Sequence, residues 1–269
     1  MKSDKQKALP PRIERYELKY TIPYDYIEPI SQFASAYCAL DKYSEKSESK
    51  FYQINNLYFD SPNYLFLKRR VEHNPNRFNM RIRAYTDNPG TLYFLEIKHK
   101  IGDVIRKYRS MGTDSMWFLP FVRSELKSYY KPKNEAEAKN RKLFLRLVET
   151  YNAAPKVLTQ YWRKAYVSMI DDYARLTFDV DLRYMPENRF SLIPQEEQMV
   201  SCDPEVIFDP GCSVILELKC YTSSVPLWML DLIKYFNLRR RSFSKYMTGI
   251  YQVFQLYRYD NATRMAMFL

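Results

Sequence analysis

Arg81-Ile82-Arg83-Ala84-Tyr85 and, a short way on, Leu95-Glu96-Ile97-Lys98 decide the reading of this chain. Both stretches alternate apolar with charged residues. That is the period of a β-strand, in which side chains i and i+2 share a face. Arg81 and Arg83 then stand side by side, and so do Glu96 and Lys98. The unit recurs as Glu17/Lys19, Lys107/Arg109 and Glu217/Lys219. A face assembled from Lys, Arg and a few Glu is badly suited to a dry core. It fits a bound polyanion accompanied by a divalent cation. The plainer alternative is the solvated face of an open sheet, stitched by cross-strand ion pairs.

The composition narrows the class. The chain has 269 residues, 46% of them apolar and 16% aromatic, enough for one globular domain with a sizeable core. The formal net charge of +11 predicts attraction to polyanions, which include nucleic acid, nucleotides, polyphosphate and anionic membrane. Only 5 Gly are present, and neither dinucleotide nor P-loop glycine motifs occur. Two His, His73 and His99, argue against an imidazole zinc site or a Ser-His-Asp triad. The four Cys (Cys38, Cys202, Cys212 and Cys220) have no CxxC spacing and read as reduced, buried residues of a cytoplasmic protein. No apolar run approaches a membrane span, and no signal peptide is evident.

Outward from the opening stretch the chain reads as alternating strands and helices. Residues 1–11 read as a disordered lead-in and 12–269 as one domain. Strands are expected at 12–22, 51–60, 77–85, 91–99, 104–111, 156–170, 174–184 and 213–221. Helices are expected at 26–39, capped by Asp25, and at 63–70, 114–130, 134–151, 226–238 and 242–257, the last capped by Ser242. Residues 41–50 read as a charged loop, and 186–209 as a loop with a short strand near Val206. The expected fold is α+β: an eight-stranded antiparallel barrel with helices outside and a C-terminal closing helix. Closure removes sheet edges, and eight strands leave room for side chains and one slender ligand.

Lys19, Arg81, Arg83, Lys98, Lys107, Arg109, Arg163, Arg175 and Lys219 fall at inward parity, with Arg241 and Lys245 beside the closing helix. That many like charges cannot be buried empty. Glu17, Glu96 and Glu217 are few and interleaved with Lys, which suits Mg²⁺ or Mn²⁺ held by one or two carboxylates plus substrate phosphates. A helix beginning after Ser242 would offer backbone N–H groups to an anion beside Ser244 and Lys245.

These residues carry a resemblance. Arg15-Tyr16-Glu17-Leu18-Lys19-Tyr20, Leu57-Tyr58-Phe59-Asp60, the two opening stretches, Tyr161-Trp162-Arg163-Lys164-Ala165-Tyr166, Arg175-Leu176-Thr177-Phe178-Asp179, Leu216-Glu217-Leu218-Lys219 and Phe243-Ser244-Lys245-Tyr246 resemble the VTC domain. This is the polyphosphate-polymerase domain of the vacuolar transporter chaperone complex, in the CYTH-like triphosphate tunnel metalloenzyme superfamily. The resemblance implies ATP and polyphosphate as ligands, a metal-dependent phosphotransferase, and a tunnel of eight strands. It implies a catalytic group of Arg81, Arg83, Lys98, Arg163 and Arg175. Phosphate would be bound by Lys19, Lys107, Lys219, Ser244 and Lys245, and metal by Glu217; the residue pattern itself adds Arg109 and Arg241 to the phosphate contacts and Glu96 and Glu17 to the metal ligands. A tripolyphosphatase or nucleoside triphosphatase in the same tunnel, with Glu17 or Glu96 orienting water, is the enzymatic alternative. A non-catalytic polyanion binder is the other. No DNA or RNA is expected, because the cations sit at strand parity and not on a surface helix. One departure stands out: Arg15 replaces the first Glu of the CYTH Glu-x-Glu-x-Lys, which removes a potential metal ligand.

Overall fold

The computed structural model describes residues 15–86, 92–102, 104–112, 132–202, 213–221, 225–241 and 243–255. The expected lead-in, the helix at 114–130, the strand near Val206 and the Ser242 cap lie outside them. The strands are β1 (Arg15–Ile22), β2 (Cys38–Leu40), β3 (Tyr52–Asp60), β4 (Asn76–Ala84), β5 (Tyr93–Ile101), β6 (Val104–Gly112), β7 (Ala154–Ser168), β8 (Ala174–Pro186), β9 (Val200–Ser201) and β10 (Val214–Tyr221). The helices are α1 (Ile27–Ser35), α2 (Lys42–Lys46), α3 (Leu65–Val71), α4 (Glu135–Tyr151), α5 (Leu227–Tyr235) and α6 (Lys245–Val253).

All pairs in the sheet are antiparallel, and the main path runs β1-β10-β8-β7-β3-β4-β5-β6. The eight expected strands are these eight. The sheet has ten strands, however, because β2 pairs with β7 and β9 with β8. It is also not closed: β1 and β6 end the path, and no ladder joins them among the described residues. The expected barrel is therefore an open, strongly curled sheet. Register shifts in β3 at Tyr58/Phe59 and in β7 at Gln160/Trp162 add local bend. Across the open seam the contact is made by side chains, with Lys98 on β5 donating to Glu17 on β1 at 2.5 Å.

Alternation explains which face is which. On β4, Met80 and Ile82 are sealed with Leu57, Phe59, Leu95 and Ile97 beneath Phe66 of α3 and Phe144 of α4. Tyr20, Leu176, Phe178, Leu216 and Leu218 are sealed likewise beneath Ile30 and Ala34 of α1 and Trp228 and Leu232 of α5. Each such side chain contributes about 1.5–3 kcal/mol through burial. The other parity, Arg81, Arg83, Glu96 and Lys98, is left facing the concave side. Helix α6 differs from the rest. Ile250 and Tyr246 pack with Val157, Tyr161 and Tyr184, and a Cβ on Gly249 would lie 3.2 Å from Val157, so this helix sits against the concave face.

Several boundaries moved. The helix expected at 26–39 stops at Ser35, because Cys38–Leu40 pairs with Tyr166–Ser168. Residues 41–50 hold α2 instead of a loop, with Asp41 accepting from the Tyr43 and Ser44 N–H groups. Helix α3 begins at Leu65. Its free N–H groups at Leu65, Phe66 and Leu67 are taken by Ser61 and Asp60. Helix α6, expected from 242, begins at Lys245 with Ser244 as its cap, accepting from the Met247 N–H at 3.3 Å.

Candidate active site

The concave face encloses a cavity of about 1210 Å³. All fifteen site residues expected from the sequence line it: Glu17, Lys19, Arg81, Arg83, Glu96, Lys98, Lys107, Arg109, Arg163, Arg175, Glu217, Lys219, Arg241, Ser244 and Lys245. Arg70, Arg77, Lys100 and Arg240 join them, so among the described residues fifteen basic side chains face four carboxylates, the fourth being Asp41.

Three carboxylates organise the buried cations. Glu96, only 2% exposed, meets Arg81 at 2.7 Å and Lys107 at 2.7 Å, with Arg109 at 3.2 Å and Arg83 at 3.9 Å. Burial pushes its carboxyl up, but Arg81, Arg83 and Lys107 together hold it well below the usual range. Glu217 sits opposite Lys19 in the β1–β10 ladder and is held by Lys219 at 2.6 Å and Lys19 at 3.1 Å. Arg163 and Lys245 approach it at 3.7 and 3.9 Å. It too is ionised far below the usual range against the opposing effect of burial. Asp179, fully buried, accepts two bonds from Arg163 at 2.6 and 2.7 Å and one from Lys245 at 2.5 Å.

The remaining cations are less neutralised. Burial lowers the Lys107 ammonium to about 7; Glu96 opposes this, while Arg83 and Arg81 reinforce it. Burial lowers Lys98 to about 8 against the pull of Glu17. Burial raises the Glu17 carboxyl, but Lys98, with Lys219 and Lys19 behind it, brings it down to about 2. Arg175 lies exposed at the rim, 5.7 Å from the Tyr173 ring. Arg241 is also exposed, and its backbone N–H donates to the Lys19 carbonyl at 3.0 Å.

Among the described residues no three carboxylate, imidazole or thiolate groups converge on one point, so Glu17, Glu96 and Glu217 do not make a single three-glutamate centre. Glu17 and Glu217 do lie close enough that Glu217 raises the Glu17 carboxyl. Two hard oxygen donors facing a cation-lined cavity fit Mg²⁺ or Mn²⁺ completed by substrate oxygens and water.

The family model of the VTC domain matches residues 14–254. The chain belongs to the VTC domain family. No curated protein matches it. Solved structures similar to this VTC domain include a candidate adenylate cyclase from Bacillus halodurans, at 11% identity and a TM-score of 0.45, covering 86% of this chain and 94% of that one. Another is the PH1819 protein from Pyrococcus horikoshii OT3, at 10% identity and a TM-score of 0.41, covering 91% and 99%. No described helix of the VTC domain is long and apolar enough to cross a membrane.

Some residues of this VTC domain site escaped the sequence reading. Asp179 shares the face of Arg175 and Thr177, so its parity was visible. Its partners come from β7 and α6, which only the fold brings together. Asp60 is buried and accepts from Tyr246 at 2.5 Å as well as from three backbone N–H groups, tying α6 to the start of α3. Tyr58 and Tyr161 donate no charge but accept from Arg81 and Arg83, fixing those guanidinium planes.

Proposed function

We propose that this domain is a metal-dependent phosphotransferase that moves the γ-phosphate of ATP onto a polyphosphate chain inside the cavity. The observation that carries the reading is the cavity itself: among the described residues fifteen basic side chains stand against four carboxylates, an excess that a multiply charged anion would neutralise. Membership of the VTC domain family supports it. In this reading Arg81, Arg83 and Arg163 grip phosphate oxygens in pairs, and Lys98, Lys107 and Lys219 supply point charges. Arg175 and Arg241 guide the anion at the rim, while Lys19, Arg109, Ser244 and Lys245 complete the phosphate contacts.

Phosphoryl transfer asks little covalent chemistry of a protein, and positioning with charge neutralisation does most of the work. A terminal phosphate acceptor is already ionised, so no general base is required. Glu17 and Glu217 would hold the Mg²⁺ or Mn²⁺, which when bound neutralises charge developing on the transferred group. An incoming anion competes with these carboxylates for Lys98, Lys19 and Lys219 and so frees them to bind the cation. Glu96, surrounded by four cations, keeps Arg81 and Arg83 side by side.

The test is incubation of the purified protein with ATP and Mn²⁺ or Mg²⁺, with polymer and free phosphate measured separately. Metal-dependent polymer is the expected result. Free phosphate alone would replace transfer by hydrolysis. Tight tripolyphosphate binding with neither product would make this a polyanion-binding domain.

A further inference from the structure

The cavity is not uniform along its length. On the β4–β5 pair, Arg77 stands opposite Lys100 at one end, while Arg83 stands opposite Phe94 and Tyr85 follows at the other. Eight residues separate Arg77 from Tyr85, about 26 Å of extended chain. The first end is cationic, with Arg70 also lining it. The second is aromatic. Tyr43 of α2 stacks on Tyr85 with centroids 5.5 Å apart and planes 6° apart. Tyr52 of β3 tilts against both, at 5.4 and 6.1 Å, and Phe94 meets Tyr85 edge-on at 5.7 Å.

We infer that this aromatic end is a nucleobase subsite, with the Tyr43–Tyr85 stack as the platform on which the base of a nucleoside triphosphate lies. The inference deepens the phosphotransferase reading and rests on it. Two features select a base over a phosphate, and a third positions the rings. Tyr ring faces carry negative quadrupole density and repel anions, whereas a flat heterocycle stacks on them. Asp41 adds a carboxylate beside the rings, accepting from the Tyr52 hydroxyl at 3.3 Å, which further disfavours phosphate at this end. The rings are held in place: Arg109 donates to the Tyr85 hydroxyl at 3.3 Å and stacks 3.4 Å from the Phe94 centroid. Tyr43 remains 39% exposed, and besides Tyr52 and Tyr85 it carries the exposed Lys42 ammonium at 5.0 Å, a flexible group that a base would displace.

Distances along the strand agree with a nucleotide. From Tyr85, Arg83 is two residues inward and Arg81 four, about 13 Å of strand. A base at the platform therefore sends its phosphates toward Arg83, Arg163 and Arg81. Inorganic polyphosphate has nothing to give the rings, so the platform discriminates between the two ligands.

The experiment measures the dissociation constants of ATP and of inorganic tripolyphosphate by calorimetry, at one salt concentration, for the wild type, Tyr43→Ala and Tyr43→Trp. Tyr43→Ala is expected to weaken ATP about tenfold, the scale of one base–aromatic stack, and to leave tripolyphosphate unchanged. Tyr43→Trp is expected to restore ATP binding. Unchanged tripolyphosphate binding also reports that the variants are folded. Equal weakening of both ligands, or no weakening of ATP, would overturn the subsite. ATP binding equally tight in wild type and Tyr43→Ala would overturn the subsite alone; wild-type protein that bound tripolyphosphate but not ATP, or bound neither, would overturn the phosphotransferase reading and the subsite with it.

Discussion

Asp179→Asn removes one negative charge from between two buried cations. Asparagine keeps one acceptor oxygen, so Arg163 loses its bidentate carboxylate, now at 2.6 and 2.7 Å, and Arg163 and Lys245, the latter at 2.5 Å, lose the charge they share. Their side chains are only 11% and 6% exposed, so water does not replace the carboxylate. Breaking a buried pair from one side costs about 3–5 kcal/mol. Glu217 still stands 3.7 Å from Arg163 and 3.9 Å from Lys245, which places the expected loss near the lower end, about 3 kcal/mol. For a domain of this size that corresponds to a fall in melting temperature of roughly 6–12 °C. The same two cations line the cavity, so an added anion supplies what the mutation removed. Melting of wild type and Asp179→Asn by circular dichroism, with and without tripolyphosphate, checks both parts. The variant is expected to melt lower alone and to gain more from tripolyphosphate than the wild type does. A variant melting within about 2 °C of wild type, with the same ligand gain, would refute the view that Asp179 is the counterweight to these cations.

Glu217→Gln is expected to weaken Mn²⁺ or Mg²⁺ binding more than nucleotide binding, and to tighten metal-free tripolyphosphate binding by releasing Lys19 and Lys219; unchanged metal dependence of the activity would remove Glu217 from the metal site. Lys107, lowered to about 7, is protonated below that pH and neutral above it in the free protein, so anion binding takes up a proton and weakens as pH rises past 7. Titrations of Lys107→Arg across the same range are expected to lack that step, and an identical step in both proteins would assign it elsewhere. Tyr246→Phe strips a donor from the fully buried Asp60 and is expected to cost about 1–3 kcal/mol, read by urea unfolding; a loss below about 0.5 kcal/mol would mean that the three backbone donors alone satisfy Asp60.

The strands and the cavity lining were legible because both depend on alternation, a property local to each strand. Arg81 and Arg83 could be placed on one face from their spacing alone, and the structure lines a single cavity with them. What alternation does not encode is how far the sheet curls. Closure depends on whether β1 and β6 meet in register, and no residue on either strand states that by itself. Short elements escaped for a different reason. Five residues of α2 contain too little apolar pattern to show a period, although Asp41 two residues before Tyr43 is a capping signal. Strands β2 and β9, of three and two residues, exist only because β7 and β8 extend far enough to pair with them. The aromatic end was hidden because its four rings come from α2, β3, the residue after β4, and β5, which the fold alone brings together.

The Glu17–Lys98 pair gives the cavity a mechanical property of its own. Every joint along the main path from β1 round to β6 is a ladder of backbone hydrogen bonds, whereas among the described residues β1 meets β5 through a pair of side chains, 23% and 38% exposed. A hoop riveted everywhere except at one spring stretches at the spring. Its bore therefore widens by separating one ammonium from one carboxylate, with no ladder broken. Because that pair is partly wetted, dissolved salt softens it while leaving the riveted joints stiff. Occupants of different girth, a bare anionic chain or one carrying a hydrated cation, are accommodated by the compliance of a single seam.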